Sequence, residues 1–82
     1  MSSLSEMKDF VTSLARGLNV IQAFDKDHGQ LTLTQVAART ELNRATARRF
    51  LFTLHALGYV ESDGKLFWLS PEILELGYAY LA

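Results

Sequence analysis

The chain has 82 residues, enough for one small domain with a modest core. It contains no cysteine, which excludes a disulfide framework and a thiolate metal site and fits a reducing cytoplasm, the expected location. The net charge of −1 argues against indiscriminate binding to nucleic acid, and no apolar run approaches the length of a membrane span, so no membrane partner is expected.

Residues 1–9 are polar and read as a flexible N-terminus. A first helix is expected from about Leu14 to Phe24, with Ser13 or Thr12 as N-cap. Phe10, Leu14, Leu18, Ile21 and Phe24 share one face and are the expected core contacts, while Arg16, Asn19 and Ala23 lie away from it. Gly17 costs about 1 kcal/mol relative to Ala inside a helix. It is either a point of close backbone approach or a tolerated neutral residue. The polar stretch DKDHGQ (25–30) reads as a loop. His28 there reads as a solvated loop residue and His55 further on has no acidic partner nearby; two separated histidines do not make a metal or catalytic site.

Leu31, Thr32 and Leu33 alternate as a very short strand would. Two helices follow. Thr34 is the expected N-cap of the first, over Gln35 to about Thr40; Glu41 and Leu42 form a break; Asn43 caps the second, which runs to Leu57 and stops at Gly58. A short helix, a tight turn and a longer helix that starts basic is the layout of a helix-turn-helix. On the second helix Ala47, Phe50, Leu51, Leu54 and Leu57 form the apolar stripe. Ala45, Arg48, Arg49, Phe52 and Ala56 lie roughly opposite, with Arg44 on the flank. Between Arg39 and Phe50 there are four Arg and one Glu, a local +3 on an otherwise acidic chain. Such a patch can bind phosphate locally.

After Gly58 the period changes to two. Residues 59–61 and 66–69 flank Asp63-Gly64, a two-residue turn signal in which both positions can take positive φ. A hairpin directly after such a helix is the wing of a winged helix-turn-helix. Lys65 at its tip is either a phosphate contact or simply solvated. Ser70, Pro71 and Glu72 open a last helix in the order cap, proline, acid. Its apolar residues Ile73, Leu74, Leu76, Tyr78, Tyr80 and Leu81 cover about 200° of surface, where a globular surface helix needs a stripe of about 100°. The excess calls for a second partner. The helix also lacks a C-cap signal, so the chain is expected to continue into a longer protein.

The stretches SLARGLNVIQAF (13–24), LTLTQVAARTELNRATARRFLFTLHALGYV (31–60) and DGKLFWLSPEILELGYAYL (63–81) resemble the N-terminal DNA-binding domain of the IclR-type bacterial transcriptional regulators. FVTSLARGL (10–18), RATARRFL (44–51) and LELGYAYL (74–81) look most like the branch that controls protocatechuate and 4-hydroxybenzoate degradation through the β-ketoadipate route. The resemblance implies a homodimer on double-stranded DNA, paired through helix one and the linker helix. It also implies a C-terminal effector domain, outside this chain, that binds a small aromatic or dicarboxylic acid. DNA contacts carry over to residues 43–49 and to the wing near Lys65.

The expected architecture is therefore mainly α with a small β-hairpin. A winged helix-turn-helix covers residues 10–69, and 70–82 begin a linker helix. The expected function is sequence-specific transcriptional regulation of aromatic-acid catabolism genes, with residues 44–57 in the major groove. Arg44, Arg48 and Arg49 would supply base and phosphate contacts. Asn43 lies at the head of that helix, and Ala45 would allow close approach, as to a thymine methyl. Thr46 either binds a phosphate or helps the cap. Thr34 and Gln35 can hold a backbone phosphate at the preceding helix N-terminus, and Arg39 reads as a surface charge. No cofactor is expected, and an enzyme is disfavoured by the absence of paired carboxylates, a Gly-rich phosphate loop or a histidine cluster. The rival is a winged-helix protein-interaction module without DNA binding, which the fold permits but which has no need of an acid-free arginine face.

Overall fold

The Asn43 side chain accepts the backbone N–H of Thr46 at 2.8 Å, so the second helix of the pair begins at its expected cap. In the computed structural model, which describes residues 6–81, the elements are α1 (Thr12–Gln22), β1 (Leu31–Thr32), α2 (Leu33–Thr40), α3 (Arg44–Ala56), β2 (Val60–Ser62), β3 (Leu66–Leu69), a 3-10 turn (Pro71–Leu74) and α4 (Glu75–Leu81). Most of the expected flexible N-terminus, residues 1–5, lies outside the described residues, as does Ala82.

Helix α2 starts earlier than expected. Its cap is Thr32, not Thr34: the Thr32 hydroxyl accepts from Gln35 N (3.2 Å) and the Gln35 side-chain oxygen accepts from Thr32 N (2.8 Å). This reciprocal box satisfies two free donors at once, whereas a lone Thr34 cap would satisfy one. Thr32 can serve because it is also the last residue of β1, already extended. The helix ends with Glu41 in the left-handed region (φ 59°), where Leu42 N reaches Ala37 O at 3.1 Å. Helix α3 ends the same way at Gly58 (φ 89°), with Gly58 N bonded to His55 O and Tyr59 N to Leu54 O.

The three strands form one antiparallel sheet in the order β1-β3-β2. Leu31 and Thr32 pair with Phe67 and Leu66, so the short strand is part of the wing's sheet and ties its base to the start of α2. The tip turn is shifted by one residue from expectation. Gly64 alone takes positive φ (99°), and Asp63 instead closes the turn through its carboxylate, which accepts from Lys65 N (2.9 Å) and Leu66 N (2.7 Å). Those two N–H groups hold the Asp63 carboxyl below its ordinary range, that of Leu66 foremost. The last helix does begin at Ser70 and Pro71, but through a 3-10 turn before α4.

The core gathers Val20 from α1 with Ala23 and Phe24 just past its end, Leu31 from β1, Val36 and Ala37 from α2, Ala47, Leu51 and Leu54 from α3, and Val60 from β2. Two expectations about faces fail. Helix α1 has no side-chain cap; Thr12 lies inside it and Val11 precedes it. It also turns Leu14 (63% exposed) and Leu18 (51%) outward, while Ala23, expected outside, is buried. The helix is apolar on two sides, so its periodicity admits both orientations. The observed one sets the small Gly17 under the Phe50 ring, where a Cβ would stand 3.7 Å from the ring carbons. That is ordinary contact distance, so the position accommodates alanine. Leu57 likewise leaves the core (64% exposed), because α3 has already ended at Ala56.

Arg39 is a clamp rather than a loose surface charge. Its Nε donates to Ala23 O (2.9 Å) and its Nη2 to Asp25 Oδ2 (3.1 Å), joining α2 to the end of α1. The other Asp25 oxygen accepts from His28 Nδ1 (2.8 Å) and Asp27 N (3.0 Å). The His28 contact is the main reason the Asp25 carboxyl is held below its ordinary range. His28 is exposed, as expected of a loop residue.

Candidate nucleic-acid interface

Helix α3 buries one stripe and turns the rest outward. Ala47 and Leu51 are fully buried, and this anchors Arg44, Ala45, Arg48, Arg49 and Phe52 on the opposite, exposed side. Among the described residues none of the three arginines is paired with a carboxylate. An arginine fork held on a rigid helix and free of acids presents its donors to an incoming anion or guanine edge.

A groove of about 730 Å³ runs between the start of α2, one flank of α3 and the wing. Thr34, Arg44, Arg48 and Lys65, four of the residues singled out from the sequence, line it together. The β1–β3 pairing brings the α2 start and the wing to the same side, and the Asp63 turn sets Lys65 at the rim. Among the described residues no carboxylate lines the groove. Phe52 and His55 also line it, and sequence reading treated neither as a contact. The signal was present: 44, 48, 52 and 55 follow one another up a single helical stripe.

The other singled-out residues lie elsewhere. Ala45 and Arg49 are exposed one turn apart on the outermost part of α3, beside the groove rather than in it. Asn43 is occupied as the cap and Thr46, whose N–H it receives, is half-buried. Gln35 has its backbone N–H and side-chain oxygen engaged in the α2 cap. That leaves Thr34 as the polar first-turn side chain that meets the groove, beside Leu33.

Two helices joined by a tight turn, a hairpin behind them and an arginine-bearing outer face define a winged helix-turn-helix domain. The chain belongs to the IclR family: residues 13–64 match the IclR helix-turn-helix domain. It is 55% identical over 74 residues to the Pca regulon regulatory protein of Pseudomonas putida, a match covering 90% of this chain and 25% of that protein. The crystal structure of a transcriptional regulator from a Rhodococcus species superposes with a TM-score of 0.84 at 61% identity, over 88% of this chain and 29% of that one. An IclR homolog from Microbacterium hydrocarbonoxydans, solved in complex with 4-hydroxybenzoate, superposes at 0.72 with 26% identity, over 78% of this chain and 27% of that one. These relatives are regulators of a DNA-binding family, not enzymes, and this chain spans about a quarter of their length. Among the described residues no helix is long and apolar enough to cross a membrane.

Proposed function

We propose that this chain is the sequence-specific DNA-binding domain of a cytoplasmic regulator of aromatic-acid catabolism genes. The observation that carries the reading is the acid-free arginine face of α3 beside a groove that gathers Thr34, Arg44, Arg48 and Lys65. The N-terminal half of α3 enters the major groove. Arg48 and Arg49 read base edges across the small Ala45, and Arg44, Thr34 and Lys65 hold backbone phosphates. Asn43 sets the start of the helix, and Thr46 and Gln35 act through the caps they complete. Kinship with the Pca regulon regulatory protein supports the class of genes.

Residues 10–69 form the DNA-binding unit, and 70–82 begin a linker to an effector domain for a small aromatic or dicarboxylic acid. The 4-hydroxybenzoate complex of the Microbacterium homolog supports that ligand class. The domain acts as a homodimer. In support, Val11 just before α1 and Leu14 and Leu18 on it are exposed, and α4 exposes Leu76, Tyr78, Tyr80 and Leu81, more apolar surface than a lone domain normally leaves in water. Selection of bound sequences from a random duplex pool at about 0.1 M salt, where exposed charges are partly screened, tests the proposal. Enrichment of an inverted repeat, with half-sites about one helical turn or a multiple apart, is expected. Retention without enrichment, or no retention at low salt, overturns sequence-specific recognition.

A further inference from the structure

His55 stands in the last turn of α3, exposed, on the same stripe as Arg44 and Arg48, and lines the groove between that helix and the wing. The charged groups that share the groove are Arg44 and Arg48 from its own helix and Lys65 from the wing. From the β1–α2 side come only Thr32, Leu33 and Thr34. The nearest acid on the wing strand, Glu61, accepts the Trp68 indole N–H at 3.1 Å and does not line the groove. Among the described residues no carboxylate is paired with His55. The ring stands where a phosphate gripped by Arg48 and Lys65 would supply the missing negative charge.

We propose that His55 is a phosphate contact of the DNA interface and that binding favours its protonated ring, so that affinity for DNA falls as pH rises. The proposal rests on the reading of this groove as a DNA interface. The physical step is linkage. An anion within hydrogen-bond reach favours the imidazolium over the imidazole, and the preference returns as tighter binding where the imidazolium forms. The neutral ring offers a phosphate one N–H and a lone pair, whereas the charged ring offers two donors. For an imidazole of reference pKa about 6.5, a phosphate that raises proton affinity by about one unit makes binding about sixfold tighter at about pH 6 than at about pH 8.

The test is fluorescence anisotropy with a labelled mixed-sequence DNA duplex, which carries phosphates whatever the operator. Binding is titrated at about pH 6 and pH 8 and over a range of salt. Wild type should show the sixfold ratio. His55→Gln should lose it and reduce the salt slope at about pH 6 by about one, the loss of one phosphate contact. His55→Lys should restore tight binding at both pH values, which a merely structural role would not do. His28→Gln, which removes the other histidine, at Asp25 and away from the groove, should keep the wild-type ratio. A His55→Gln protein that binds DNA with unchanged pH ratio and salt slope overturns the assignment to His55 and leaves the DNA interface standing. Wild type that fails to bind even at low salt overturns the interface reading and this proposal with it.

Discussion

Replacing Ser70 with alanine tests how the wing and the last helix are joined. Ser70 is only 5% exposed, and its hydroxyl has two partners. It donates to the carbonyl of Gly58, just past the end of α3, and it accepts from Glu72 N at 3.2 Å, capping the 3-10 turn that leads into α4. Ser70→Ala removes both while keeping the backbone bond from Ser70 N to Tyr59 O. A lost intramolecular hydrogen bond costs about 1 kcal/mol, and a lost N-cap about the same. The expected destabilisation is therefore about 2 kcal/mol, a fall in Tm of about 10 °C for a domain of this size. Urea denaturation followed by far-UV circular dichroism measures it, with the midpoint lowered and the slope m unchanged because the surface exposed on unfolding is the same. A loss below about 0.5 kcal/mol, at the level of an ordinary surface substitution, would refute the two-partner reading and mean that water replaces the hydroxyl at both sites.

Arg48→Ala should weaken binding to the selected operator by about 1–3 kcal/mol and relax preference at one base position; competition between operator and point-mutated duplexes checks this, and unchanged discrimination would demote Arg48 to a phosphate contact. Gly17→Ala should stabilise the domain by about 0.5–1 kcal/mol, since helix propensity rises and the new methyl meets Phe50 at 3.7 Å without a clash, and a rise in the urea midpoint is the readout. Asp25 and Asp63 both have carboxyls held below their unfolded values, so the stability they add is present above about pH 4 and disappears as pH falls through their folded values. Urea midpoints between about pH 5 and pH 2 should fall, and Asp25→Asn with Asp63→Asn should flatten part of that fall.

Much of α3 was legible in one dimension. Asn43, the alternation of buried Ala47 and Leu51 with exposed Arg48 and Arg49, and Gly58 are local signals, set by the reach of a side chain to its own turn and by the helical period. They survive into the fold because nothing distant competes with them. The same holds for the Ser70-Pro71 start and for the change of period after Gly58. Where local rules offered two answers, only the assembled fold chose. Helix α1 carries apolar residues on both flanks, and packing against Phe50 selected the side with Gly17, Val20 and Ala23, turning Leu14 and Leu18 out. The capping of α2 moved to Thr32 because β1, paired with β3 from far along the chain, had already extended that residue. The groove itself belongs to tertiary structure alone. Thr34, Arg48 and Lys65 are separated in sequence and meet because β3 lies between β1 and β2, folding the wing back beside α3. A helical period states which side chains share a face, but what stands across from that face depends on long-range strand pairing.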